Sequence, residues 1–356
     1  MNMAYTNRPT TTQEHQAITQ RQQQVLQLIV REHVSNGKPV GSKFLAERYS
    51  IGYSAATIRN EMAELEAAGF VDHLHTSGGR VPTDAGYRYF VGHLMDDVDL
   101  PAGDQIMIRH QFRQAETKLD EWPELAASVL AEIAGNVSVV TSPKVSTARI
   151  RHLELISLQP QLALLILVTK ESTVRQSMVH LPVDVDQSDL RVLAGQLSAE
   201  LSGRSADEVQ KQAIRVSPLA TAVVEHVIAA LRQIDSPDQI AIRSKGLHYI
   251  VGQPGIQDDD VHAVLDLVQG GAFLNAILPQ IESVDRVQVF IGRDELPDQL
   301  QRFGVIVATY GIDDNVKGLI GVLGPTRMSY WRTISTVRYM SRLISDLVTD
   351  LYPSAG

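Results

Sequence analysis

Seven consecutive residues, Ser54-Ala55-Ala56-Thr57-Ile58-Arg59-Asn60, gather the side chains best suited to reading a DNA base. Arg bonds guanine through two parallel donors, Asn does the same to adenine, and the methyls of Ala and Thr meet the thymine methyl. Ile58, Met62 and Leu65 recur at i, i+4 and i+7, so the segment is a helix with that stripe inward. At 100° per residue Ala56 and Asn60 then point away from the core, flanked by Thr57 and Arg59. Ser54 caps the helix, and the free amides of its first turn suit a phosphate. The acids Glu61, Glu64 and Glu66 come only later. Lys43 and Arg48, on a preceding short helix capped by Ser42, can reach the DNA backbone. Arg80, after the turn Thr76-Ser77-Gly78-Gly79, can enter a minor groove or hold a phosphate, with His75 and Ser77 beside it. The candidate DNA-binding set is therefore Ser42, Lys43, Arg48, Ser54, Ala56, Thr57, Arg59, Asn60, His75, Ser77 and Arg80.

Elsewhere the chemistry is thin. His73 and His75 share one face of a strand, but a metal needs a third ligand and the chain has no Cys. Asp258-Asp259-Asp260 lacks EF-hand spacing and reads as a helix start. Gly318, Gly321 and Gly324 are not followed by Gly-Lys-Ser/Thr, so they form no P-loop. Thr326 and Arg327 fit either an anion-binding turn or a helix start packed between domains, with packing favoured. No catalytic, metal or cofactor residue is expected.

The elements that position the candidate set are clear. Thr19 and Gln22 make a capping box for a helix bearing Val25, Leu26, Ile29, Val30 and Val34, which ends at Asn36-Gly37. The second and third helices follow, then an alternating run from Phe70 to His75, the turn, and the return through Arg80-Val81-Pro82. Thr83 starts another helix. Helix, helix, helix and two-stranded hairpin is the order of a winged helix-turn-helix. A solvated helix face would have a similar composition, and some winged helices bind protein; the full order of elements is what favours DNA.

Downstream, residues 96–104 read as a linker. A helical region follows to about Ala134, interrupted near Pro123. Strands are expected at Val137–Thr141, Ile150–Ser157, Leu162–Thr169, Val174–His180, Val287–Ile291, Val305–Tyr310 and Lys317–Leu323, together one antiparallel sheet of six or seven strands. Residues 188–234 are helical, residues 240–251 form a hairpin around Lys245-Gly246, and a long helix closes the chain. The Leu190–Leu201 stripe and the helix bearing Val223, Val227 and Leu231 are candidates for a dimer interface or for a domain core.

Composition agrees with a multidomain α+β protein: 356 residues, 44% hydrophobic and 21% charged. Net charge is −9. The first 95 residues carry nine Lys or Arg against eight Asp or Glu, a net of +1, and the remainder carries −10. A polyanion partner therefore suits the opening segment alone. The absence of Cys fits a reducing compartment, and the polar N-terminus is no secretory signal, so a cytoplasmic protein with no membrane partner is expected.

The runs SAATIRNEMAELEAAGF and HTSGGRVPTDAGYRYFV closely resemble the heat-inducible transcription repressor family HrcA. ITQRQQQVLQLIVREHVSNGKPVGSKFLAERY is similar to that family's first two helices, and GLIGVLGPTRMSYWRTISTVRYMSRLISDL to its C-terminal signature. Residues 1–17 read as a disordered tail, and the resemblance implies a winged-helix domain, over 18–95, and a GAF-like α/β domain in two parts, 104–184 and 281–352. Between those parts it implies a mostly helical inserted dimerising domain, 185–280. It implies a repressor of chaperone operons that acts as a homodimer on an inverted-repeat operator (CIRCE), is released on heat shock, and has the GroEL chaperonin as modulator. The chain departs from the family at Ile291-Gly292-Arg293-Asp294-Glu295, where Ile-Gly-x-Glu-Asn is common. Two rival readings are a ligand-sensing transcription factor that uses the GAF-like domain and an enzyme with a winged-helix appendage.

Overall fold

A computed structural model of the chain describes residues 18–73, 79–115, 122–145, 147–170, 173–212, 217–236, 241–253, 256–269, 277, 281, 286–293, 295–296, 298–312 and 316–351. The expected N-terminal tail, and His75, Ser77 and Asp294, lie outside them. The fold is mixed α+β, with an N-terminal helical region followed by β-sheet units.

The N-terminal region begins with α1 (Gln20–Asn36), held by a complete capping box between Thr19 and Gln22 and ended by Gly37 at φ 68°. Val25, Leu26, Ile29 and Val30 are fully buried along one stripe. Helix α2 (Ser42–Arg48) follows, then α3 (Ala55–Ala67), which Ser54 caps by accepting from the Thr57 N–H. Ser42 does not cap α2: the N-cap is Gly41, and Ser42 is buried as the first helical residue. Strands β1 (Val71–His73) and β2 (Arg80–Pro82) pair antiparallel with His73 opposite Arg80. Helix α4 (Asp84–Tyr89) runs directly into a π-helical turn, Phe90–Leu94.

Next come α5 (Ala102–Ala115) and α6 (Trp122–Ala134). Pro123 sits in the first turn of α6, where its missing N–H has no intrahelical partner to lose. The expected single sheet is in fact two. The first contains β3 (Val137–Thr141), β4 (Lys144–Val145), β8 (Ile242–Lys245), β9 (Gln288–Ile291), β10 (Phe303–Ile312) and β11 (Val316–Pro325). Its order is β8-β3-β11-β10-β9, with β4 also paired to β11. The second holds β5 (Ile150–Gln159), β6 (Leu162–Thr169) and β7 (Val174–His180) in sequence order. The expected hairpin over 240–251 is instead a strand on the edge of the first sheet, β8 on β3, followed by a 3-10 turn at Leu247–Tyr249. Helix α10 (Asp258–Gln269) starts at the triple Asp, and α11 (Tyr330–Leu351) closes the described chain. Helix α11 starts four residues after Thr326, whose N–H goes to Arg302 O instead.

The chain divides into two compact units, one of residues 1–142, 242–311 and 318–356, the other of 143–241 and 312–317. The strands β5–β7 thus group with the helices α7 (Gln187–Leu201), α8 (Ala206–Lys211) and α9 (Pro218–Asp235), and not with the first sheet. The expected boundary at 184/185 falls inside the second unit. Leu153, Leu155, Leu165 and Leu167 meet Leu190, Leu197, Leu201, Val223, Val227 and Leu231 in one core. Of the two readings left open for the helical stripes, interface or domain core, the structure shows the core: both are interior to their own unit. In the first unit, Thr141 and Ile242 are direct partners across β3 and β8, so residues 143–241 leave and rejoin it at neighbouring strand ends. Among the described residues, no helix is long and apolar enough to cross a membrane.

Candidate nucleic-acid interface

The three inward residues of α3 are buried as the periodicity requires: Ile58, Met62 and Leu65. Each removes enough apolar area to be worth about 1.5–3 kcal/mol. On the opposite side Ala56, Arg59 and Asn60 are exposed, and Thr57 is half-buried with its hydroxyl 3.0 Å from Ser54 Oγ. Among the described residues, Arg59 and Asn60 make no side-chain hydrogen bond or ion pair.

The acids of α3 are all engaged from behind. Arg21 of α1 pairs with Glu61 at 3.1 Å while lying over the Tyr53 ring. Gln22 donates to Glu64. Glu66 accepts from Arg80 of β2 at 2.6 Å and faces the His73 ring of β1 at 2.5 Å. The helix that carries Arg59 and Asn60 therefore presents donors outward and ties its carboxylates to its own module. That is the charge distribution a polyanion needs.

The same network decides the other candidates. Arg80 is only 21% exposed, its guanidinium is committed to Glu66, and its buried Nε finds no partner among the described residues. A phosphate would have to displace that carboxylate. Arg48 pairs with Glu32 at 2.9 Å and lies 5.7 Å from the centre of the Phe44 ring, but keeps more than half its surface open. Lys43 stands exposed, with only Glu47 at 3.8 Å. Ser42 is buried, which leaves its backbone rather than its hydroxyl for any contact.

Sequence reasoning missed Glu32. It is 5% exposed on α1 and accepts from Arg48 Nε, Asn36 Nδ2 and the Tyr49 hydroxyl. One carboxylate so fixes the end of α2 against α1. Burial and the bond to Glu32 hold the Tyr49 phenol above its ordinary pKa. A Glu three residues past Ile29 is the only trace in the sequence. Glu66, Asp72 and His73 do bring three metal-ligand types together, but the Arg80 guanidinium occupies the same carboxylate and opposes a cation there.

A family model described as "HrcA protein C terminal domain" matches residues 120–334. Among curated relatives, a heat-inducible transcription repressor HrcA of Thermomicrobium roseum is 40% identical over 335 residues, 94% of this chain and 96% of the relative. One of Chloroflexus aurantiacus is 37% identical over 353 residues, 94% and 95% of the two chains. One of Dehalococcoides mccartyi is 34% identical over 336 residues, 94% and 97%. A solved structure titled as a hypothetical protein at 2.2 Å resolution aligns over 94% of this chain and 98% of its own, with a TM-score of 0.56 and 23% identity, and so shares the fold. With the family model covering more than half of the chain and relatives at this identity covering nearly all of it, the chain belongs to the HrcA family.

Proposed function

We propose that the protein is a heat-inducible, DNA-binding transcription repressor of chaperone operons, with α3 as the recognition helix of a winged helix-turn-helix. The observation that carries this is the α3 surface. Ala56, Arg59 and Asn60 stand outward without side-chain partners among the described residues, while Glu61, Glu64 and Glu66 are each held by a neighbour in the same module. The names of the relatives point the same way. On this reading the protein is cytoplasmic and not an enzyme, and the part built on the first sheet is GAF-like.

The operator is an inverted repeat and the protein a dimer, because one short helix reads too few bases for genomic specificity. The outer face of β5–β7 supports a dimer surface. Register places Ile156, Leu164 and Met178 side by side, Ile166 between Glu154 and Gln176 in the next row, and Val168 beside Val174 in the row after that. Met178 is 63% and Val174 57% exposed. An apolar stripe along β6, widened by Ile156 and Met178 at one end and Val174 at the other, suits an interaction site. Heat releases the repressor by loosening dimer or domain contacts, and the GroEL chaperonin restores it while free of unfolded clients. A footprint of the purified protein on its own upstream region tests the reading: protection of an inverted repeat is expected, and protection of no discrete site would overturn it.

A ligand-sensing variant of this function has one observation in its favour. A cavity of about 280 Å³ lies among Val137, Ser244, Leu247, Val264 and Val268. A thermal shift with small metabolites in the absence of DNA would favour that reading.

A further inference from the structure

Within the first unit, the N-terminal module is gripped by segments that flank the first sheet at two places. On one side Arg88 of α4 donates to Ile291 O at 2.8 Å, and the Arg293 N–H reaches Asp84 Oδ2 at 3.4 Å. Gly292 stands between these contacts at φ 74°, and a Cβ there would lie 2.0 Å from Asp84 Oδ2. Only glycine satisfies both the backbone and the approach. The grip from 291–293 is through backbone atoms, and Glu295, where the family commonly has Asn, accepts from the Ile291 N–H at 2.7 Å.

On the other side Arg327 reaches the C-terminal end of α1. A Cβ on Gly37 would fall 2.3 Å from Arg327 Nη1. The guanidinium therefore lies against the negative end of the α1 dipole, beside the turn in which the Gly37 N–H closes on His33 O. Between the two grips Tyr87 and Tyr330 pack ring to ring with centroids 5.8 Å apart, both buried. Among the described residues, the buried Tyr87 hydroxyl and Arg327 Nε find no hydrogen-bond partner. Buried polar groups left unpaired weaken this joint relative to the apolar cores on either side of it.

We infer that Arg327, with the 291–293 backbone, is a positioning lock: it fixes the DNA-reading face of α3 to the sheet unit so that the repressor reads its half-sites at one spacing. Arg327 touches no DNA and acts through α1. The inference rests on the dimeric-operator reading for its functional consequence, but not for the lock itself.

The absence of Cys allows a clean test. Ala67→Cys at the exposed end of α3 and Arg342→Cys on the exposed side of α11 accept a pair of spin labels. In an otherwise unchanged chain the distance distribution should be narrow. Arg327→Ala should broaden it, weaken binding at the preferred half-site spacing about tenfold, and flatten the preference among spacings. Arg327→Lys, which keeps the charge at the helix end, should restore most of both. If Arg327→Ala does not fold, Arg88→Ala loosens the opposite grip and carries the same expectations. A distribution that stays narrow in the alanine variant, or an unchanged spacing preference despite broadening, overturns the lock. Failure of the unsubstituted protein to protect any inverted repeat would instead overturn the operator reading, and the spin-label result would stand on its own.

Discussion

Two regions of the molecule treat their surfaces in opposite ways. The N-terminal module ties each acid of α3 to a partner behind the helix and leaves the donors Arg59 and Asn60 outward. The unit built on 143–241 has few such networks on its sheet. Strand β6, LALLILVT, is apolar on both faces, with Ala163, Leu165 and Leu167 buried inward and Leu164, Ile166 and Val168 on the other side. A run of that kind belongs to a strand covered twice. Here the helices cover it once. The difference teaches where each region's partner must come from: charge complementarity for the first, apolar area for the second.

The largest expected effect comes from spoiling the second surface. Ile166→Lys with Leu164→Lys places charges at the centre of the open face without touching the core beneath. The protein should sediment as a monomer, and affinity for the inverted repeat should fall by about 10²–10⁴, the loss of the second site's effective concentration. A dimer that survives both changes would move the interface elsewhere and break the comparison. Replacing 143–241 by a short Gly/Ser linker should have the same consequence. Thr141 and Ile242 already pair, so the linker need span only adjacent strand ends.

Next in size is Arg59→Ala. Loss of a bidentate base contact should cost about 1–3 kcal/mol on the operator and much less on random DNA. An equal loss on both would make Arg59 a phosphate contact and reduce the first surface to a generic basic patch.

How legible all this was depends on which partner each residue has. The α3 face could be read because Ile58, Met62 and Leu65 fix the rotation of one helix, and everything else on it follows. Glu32 could not be read, because its partners Arg48 and Tyr49 come from another helix and a Glu at the edge of an apolar stripe looks like a rim residue. The strands were located, but not their sheets. Nothing in RSKG says that Ile242–Lys245 pairs with β3 while Ile150–Gln159 does not. The Leu190–Leu201 stripe was open for a similar reason: amphipathicity shows that a face is buried, not against which chain. The grip of 291–293 on Asp84 and Arg88 of α4 leaves no pattern in the sequence, because on the 291–293 side backbone atoms make it.

A smaller effect concerns acidity at the joint. Burial lowers the His33 pKa below its ordinary value, its ring's bond to Lys38 O opposes this, and the Arg327 charge lowers it further. A His whose folded pKa is depressed binds more protons when unfolded, so stability rises with pH. The contribution of His33 is intact above about pH 6.5 and is lost as pH falls from there toward its folded pKa. Urea unfolding of His33→Gln should show less loss than the unsubstituted protein between about pH 7 and pH 5.5. Parallel curves would remove His33 from the acid sensitivity of the joint.

The smallest expected effect is at Arg80, and it tests whether the internal pairing of charge is what shapes the first surface. A residue that neutralises a phosphate contributes about 0.9 to the slope of log affinity against log salt. A free wing arginine would lose that much on substitution. Arg80 is not free: its guanidinium is 2.6 Å from Glu66, and the His73 ring lies on the same carboxylate. Arg80→Ala should therefore leave the salt slope nearly unchanged and reduce binding only modestly, through the unpaired Glu66. Glu66→Gln sharpens the point. It keeps the shape, releases Arg80, and should steepen the slope by up to about 0.9 if the released side chain finds a phosphate. Should Arg80→Ala alone flatten the slope by about one unit, the ion pair yields to DNA on binding. Arg80 then belongs with Arg59 on the reading surface.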